Sequence, residues 1–149
     1  MGFLAGQIVT AGQLDRIQPV PYEAVANGSL TSTTTTETDI PGASITFTTK
    51  AANATFQATG TFDCEPLATS GTIMMLGKLN VDGVSQSGVS VHRMNQLDRD
   101  TVSMTWTGVL AAAGSHTLKL RGNLSAALGT GGRFQTGDTK LQFTITEVV

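Results

Sequence analysis

The residues able to do chemistry are few and scattered along the chain. His92 and His116 are its two histidines, and they fall on different predicted strands. Nucleophilic catalysis needs a nucleophile, a base and a group that orients the base, brought together in space. No Ser, Cys or carboxylate stands at a recognised motif spacing from either imidazole. His116, directly after Gly114-Ser115, reads as a strand-start residue capping a turn, and His92 beside Arg93 as a solvated strand end. Cys64 continues the inward alternation of Phe62, so it is expected to be a reduced thiol in or near the core. No basic residue lies beside it to activate it. Asp98-Arg99-Asp100 offers one edge of a calcium site but lacks the Gly-containing loop and further acidic ligands of a dedicated one. A solvated loop with a local arginine pair is the expectation there. Gly129-Thr130-Gly131-Gly132-Arg133 has glycines without the Lys-Ser/Thr or following helix of a phosphate cradle. Asn27-Gly28-Ser29, Asn53-Ala54-Thr55 and Asn123-Leu124-Ser125 match the glycosylation sequon, as chance allows in a chain rich in Ser and Thr. The expectation is a protein that is not an enzyme, with no metal and no cofactor.

Composition narrows the class further. The chain has 149 residues, 40% hydrophobic and only 13% charged, with a single Cys and 24 Thr. That length supports one domain with a real core, and the apolar fraction separates it from highly charged disordered chains. One Cys cannot form an intrachain disulfide. Nine Lys and Arg against a net charge of −2 give no footprint for nucleic acid. No stretch approaches the ~20 apolar residues that cross a bilayer, and Met1–Gly6 lacks a basic n-region, so a soluble protein made in a cytoplasm is expected. Abundant β-branched Thr favours strands.

Two regimes of patterning divide the chain, residues 1–27 and residues 28–149. Phe3 to Leu14 offers apolar residues without a sustained period. Thr10 can cap one helical turn through Leu14 and Ile17, which Pro19 and Pro21 then end. Such an arm exposes Phe3, Leu4, Ile8, Val9, Leu14, Ile17 and Tyr22 unless something covers them. The arm is either a strap lying on its own domain or an anchor docking on a neighbouring subunit or another protein; the anchor is the preferred reading, with these seven as its docking residues. Burying five of them contributes on the order of 7–15 kcal/mol before ordering costs.

Beyond Asn27-Gly28 the period is two. Ser29–Thr38 reads as a Thr-rich strand ending at Asp39-Ile40-Pro41-Gly42. Ile45 and Phe47 alternate with Thr46 and Thr48, and Ala54, Phe56, Ala58, Gly60 and Phe62 alternate with Thr55, Gln57, Thr59 and Thr61. Ile73–Val81 is almost continuously apolar, as in a strand buried on both faces or against a partner chain. Asp82-Gly83 is a hairpin turn, with Val89 and Val91 on a short returning strand. Val102, Met104, Trp106, Gly108 and Leu110 share a face, Leu118 and Leu120 point inward, and Asn123–Asp138 is expected as a long loop. Leu141, Phe143 and Ile145 form the last strand. About eight strands with no long helix and no βαβ alternation give an antiparallel sandwich or barrel.

From about Ser29 to Val149 the chain resembles small jelly-roll domains on virions of tailed phages that infect actinobacteria. The residues that carry the resemblance are Ala58–Asp63, Gly77–Gly83, Thr101–Trp106 and Gly114–Leu120, in that order and spacing. The layout is also similar to the tumour-necrosis-factor and complement-C1q type of jelly roll, whose heads form trimers with the C-terminal strand near the axis. Phe3–Asp15 resembles the N-terminal segments, aromatic-x-x-Gly-Gln-x-x-Thr-Ala-x-x-Leu-Asn, that begin many phage tail and fibre proteins at the virion-attached end. Asp15 stands where Asn is usual. Neither resemblance brings catalytic or metal residues.

Together these readings give an all-β antiparallel sandwich, a jelly roll of about eight strands, with a non-globular N-terminal arm. The implied function is non-catalytic: a virion capsid decoration or minor capsid protein, made in the bacterial cytoplasm. It would form a homotrimer and dock through its arm on the major capsid protein or another virion protein. Absence of heptads and repeats argues against a fibre shaft. Met74, Leu76, Trp106, Phe143 and Ile145 are the candidate trimer residues. The alternative is a tail-fibre or tail-tip receptor-binding head for host surface glycan, with Phe134 beside Arg133 and Gln135 as the ring to test. No nucleic acid and no membrane is expected as partner.

Overall fold

The computed structural model describes residues 10–147, without the side chains of Gln13, Asp15 and Arg16. Phe3, Leu4, Ile8 and Val9 of the expected arm lie outside the described residues. A short helix, α1 (Ala11–Ile17), opens with Leu14 N–H donating to the Thr10 carbonyl at 3.1 Å. Pro19 follows, where a helix cannot continue past its missing N–H. Eleven strands then follow among the described residues: β1 (Val20–Val25), β2 (Leu30–Ser32), β3 (Thr38–Thr49), β4 (Ala54–Pro66), β5 (Met74–Val81) and β6 (Val84–Ser85). The rest are β7 (Ser90–Arg93), β8 (Asp100–Leu110), β9 (Gly114–Leu124), β10 (Gly132–Phe134) and β11 (Lys140–Thr146).

They form two antiparallel sheets packed face to face, a jelly-roll sandwich. In the first sheet β4 is the centre. It pairs β8 along one edge, while its other edge takes β11 over Thr55–Thr61 and β10 over Cys64–Pro66. β1 closes the far side of β11, and β2 the far side of β10. The second sheet runs β3-β9-β5, and β6 and β7 share the outer edge of β5. Asp82 and Gly83 adopt φ of 50° and 88°, the left-handed pair that a tight Asp-Gly hairpin requires between β5 and β6.

Period-two alternation sends one residue set of each strand between the sheets. Phe56, Phe62, Trp106, Phe134, Leu141, Phe143 and Ile145 from the first sheet are buried there, and Phe47, Met75, Leu79, Leu118, Leu120 and Leu124 are the buried set of the second. Each large side chain so buried contributes about 1.5–3 kcal/mol. Two glycines of the second sheet make room for rings of the first. A Cβ at Gly122 would lie 2.3 Å from the Phe134 ring, and one at Gly77 would lie 2.6 Å from Phe62.

The structure corrects several boundaries. β1 pairs with β11 over six residues, and Tyr22 stacks on Phe143 with ring centroids 4.9 Å apart. Residues 20–25 therefore belong to the sandwich rather than to an arm reaching residue 27, because this pairing satisfies one edge of the C-terminal strand. The expected strand over 29–38 shrinks to β2. Thr hydroxyls bond locally instead: Thr34 Oγ1 accepts from Thr36 N–H, and Thr38 Oγ1 donates to the Thr36 carbonyl. Pro41-Gly42 does not end a strand; the register of β3 shifts between Asp39 and Ser44, with Gly42 at φ 81°. β10 emerges from the expected loop 123–138. β5 alternates rather than burying both faces: Met75, Leu79 and Val81 are buried, while Met74, Leu76 and Lys78 are half-buried.

Candidate functional site

The chemistry-bearing residues serve as braces. His116 is buried at the start of β9, and its Nδ1 lies 2.7 Å from Asp82 Oδ2 and its Nε2 3.0 Å from the Ala112 carbonyl. Both ring nitrogens face an acceptor, the Asp82 carboxylate on one side and the Ala112 carbonyl on the other. The other Asp82 oxygen accepts from Thr117 N–H at 2.7 Å. Partial burial works to raise the Asp82 carboxyl, but the His116 and Thr117 hydrogen bonds outweigh it and hold the group below the usual range. The set ties the β5–β6 turn to the β8–β9 turn, more than the capping of one turn. His92 is buried on the inward face of β7, not solvated, with Nε2 3.8 Å from Asp98 Oδ1. Its neighbour across β5 is Met75, and period two sends both inward.

Cys64 is 1% exposed, and burial, with Asp63 and Asp100 adding to it, pushes its thiol up to about 12. That thiol is a poor nucleophile at neutral pH. Arg99 leaves its own loop and closes both guanidinium bonds on the buried Asp63, with Nε 2.8 Å from Oδ1. The expected local arginine pair is thus replaced by one with Asp63 of β4. Among the described residues no group of three or more His, Cys, Asp or Glu is arranged to hold a metal ion.

The outward faces of the two sheets differ. On the second sheet, Lys78 meets Glu37 at 2.6 Å, and Asp39 receives Lys119 and Arg121, each at 2.6 Å. Hydrogen bonds from Lys78 and Ser85 draw the Glu37 carboxyl below its usual range. Burial opposes the same shift in Asp39, and the bonds from Lys119 and Arg121 outweigh it. Met74, Leu76 and the exposed Val91 lie beside this network on β5 and β7.

On the first sheet, the outward residues are Thr101, Ser103, Thr105, Thr107 and Val109 of β8, then Thr55, Gln57, Thr59 and Thr61 of β4. Lys140, Gln142, Thr144 and Thr146 of β11 and Pro21, Glu23 and Val25 of β1 extend the face on one side, and Glu65 of β4 with Arg133 of β10 stands at its other end. Glu23 and Lys140 are the charges on β1 and β11, while the Asp63–Arg99 and Glu65–Arg133 pairs gather toward β10. The hydroxyls of Thr59 and Thr105 share a hydrogen bond of 2.8 Å, and Gln142 Nε2 donates to Glu23. Two open depressions, about 440 and 510 Å³, adjoin at Gln57 and Thr144. Glu23, Gln142 and Pro21 border the first, and Thr107, Val109 and Pro19 the second.

The expected site residues separate accordingly. Trp106, Phe143 and Ile145 are on the anticipated strands but 3–4% exposed, facing the sandwich core, so they cannot meet a neighbour. Met74 and Leu76 do face outward, on the second sheet. Phe134 is fully buried against Gly122, which removes it as a glycan platform. Of the arm residues, Leu14 is 48% exposed, Ile17 is half-buried, and Tyr22 packs on Phe47 and Phe143. The Asp82–His116 and Asp63–Arg99 pairs are 34 and 36 residues apart, beyond the reach of any local motif. No described helix is long and apolar enough to cross a membrane.

No protein-family model matches the chain, and no curated protein matches its sequence. Solved structures do match in fold. A chain of the T13 viral particle of IBDV is 12% identical with a TM-score of 0.56, covering 98% of this chain and 35% of that one. A chain of the infectious bursal disease virus Gx strain is 9% identical with a TM-score of 0.52, covering 98% of this chain and 36% of that one. Murine APRIL is 8% identical with a TM-score of 0.49, covering 85% of this chain and 98% of that one. The chain thus spans about a third of the viral chains it matches. At these identities the likeness is one of jelly-roll fold.

Proposed function

We propose that this chain is a non-catalytic structural protein of a tailed-phage virion, a capsid decoration or minor capsid protein. It docks on the major capsid protein or another virion protein through its N-terminal segment and assembles as a homotrimer. The observation that carries the reading is where the sandwich begins. Its sheet starts at Val20, and Leu14, just ahead, stands 48% exposed. An apolar segment beyond the needs of its own core is available to a neighbour. Two further points support it: the viral-particle chains that share the jelly roll, and ionisable groups spent on bracing rather than gathered in a cleft.

The test is deletion of residues 1–17, which leaves β1 whole. The shortened chain is expected to keep the melting temperature of the full chain and to lose attachment to particles. Equal attachment by both chains would overturn the docking role.

A further inference from the structure

We infer that the neutral outward face of the first sheet, with the free edge of β8, is the surface on which a second copy of this chain packs. The inference rests on the assembly reading above and gives it a location.

The first observation is the edge. β8 pairs with β4 through eleven residues in unbroken register, and no described residue forms a backbone ladder with its other side. Unpaired strand edges invite pairing, and proteins blunt them with short length, proline, lysine or bulges. The other edges are blunted: β1 has six residues and Pro21, β3 carries Pro41 and a shifted register, and β2, β6 and β7 have two to four residues. From Thr101 to Leu110, β8 has no proline, no lysine and no bulge.

The second observation is charge. Covering the second sheet would desolvate Glu37, Asp39, Lys78, Lys119 and Arg121, which already satisfy one another. Over β8, β4 from Thr55 to Thr61, β11 and β1, the first sheet presents hydroxyls and amides, with Glu23 and Lys140 of opposite sign, and further charges, the Asp63–Arg99 and Glu65–Arg133 pairs, stand at the β10 end. Two copies of it meet without a block of like charge, and Thr59–Thr105 and Thr61–Ser103 bonds leave fewer polar groups to satisfy. Exposed Val109 and Val25 add apolar contact on opposite strands of the face, and the two depressions give it relief.

The third is area. β8, β4, β11 and β1 have 11, 13, 7 and 6 residues; at about 3.3 Å per residue and about 4.8 Å between strands they make a face of roughly 600 Å². A standard interface takes about 800 Å² from each partner, and this face supplies the larger part of it, with the β8 edge adding to it.

The test compares Thr105→Arg and Gln57→Arg, on this face, with Thr46→Arg on the second sheet. Sedimentation velocity over a concentration series reads association of the full chain, while circular dichroism and melting confirm folding. Hydrogen exchange of the unaltered chain against concentration reads the β8 amides without any substitution. Expected are association of the full chain, at least about tenfold weaker association of both face variants, no change with Thr46→Arg, and β8 protection that rises with concentration. An associated full chain whose β8 amides show no such protection, or whose folded face variants associate undiminished, overturns the inference and leaves the trimer standing. A full chain monomeric at every concentration overturns both, as does a monomer that instead binds neutral saccharide on this face.

Discussion

The outward faces of the two sheets share one core and one chain, yet they handle polarity in opposite ways. The second sheet gathers Glu37, Asp39, Lys78, Lys119 and Arg121 into a network whose members are one another's partners. The first sheet spreads Thr, Ser and Gln over β8, β4 and β11. A charge network is content in water and costly to cover, whereas neutral hydroxyls and amides can be covered by any surface that returns their hydrogen bonds. The low charge of the whole chain is therefore an average over two unlike surfaces.

The comparison presumes a common core, and the largest expected effect tests that premise. Phe134→Ala removes a fully buried ring seated on Gly122 and should cost about 3–5 kcal/mol, read by chemical denaturation. Amide exchange should accelerate in both sheets together. Loosening of the first sheet alone would mean that the faces do not belong to one cooperative unit. Next comes the brace at one end. His116→Gln forfeits a charge-assisted bond to Asp82 and should cost about 1.5–3 kcal/mol.

A smaller effect distinguishes the faces directly. Asp39→Asn, at a half-exposed carboxylate, should cost up to about 1 kcal/mol, and the loss should shrink in high salt. The folded-state pKa values of Asp39, Glu37 and Asp82 lie below their usual values. Their contribution is therefore complete above the unfolded carboxylate range, about pH 4–5, and is lost as pH falls through the folded values. Acid titration of the melting temperature should show that loss, diminished in Asp39→Asn. The smallest effect belongs to the neutral face: Thr59→Val should change monomer stability by no more than about 0.5 kcal/mol, with no salt dependence. A salt-dependent loss there would dissolve the contrast.

Much of the fold was legible because alternation is a local signal. The strand from Ala54 through Phe62, the Asp82-Gly83 hairpin and the inward Leu118 and Leu120 all appear in the structure. The site was legible only as far as its strands. The sequence points to β5, β8 and β11 as surfaces, but β5, with Met74 and Leu76, lies on the second sheet, and the residues singled out on β8 and β11 are the large ones, Trp106, Phe143 and Ile145, which fill the core. Apolar size marks a contact without saying whether the partner is another sheet or another chain. The candidate face consists of Thr59, Thr105, Gln57 and Thr144, whose significance arises only when β8, β4 and β11 lie side by side. Phe134 was misplaced for a related reason: the glycines around it suggested a loop, whereas β10 needs only three residues to bridge β2 and β4. His92 and Arg99 depend on partners dozens of residues away or on a neighbouring strand.

The central claim, a virion protein anchored by its N-terminal segment, is tested most directly by cryo-electron microscopy of the particles that carry it. The account predicts groups of three sandwiches on the particle surface, the first sheets turned toward one another and the chain start before Val20 directed to the shell. Particles without the protein, or copies attached singly through the Asp82–His116 end, would contradict it.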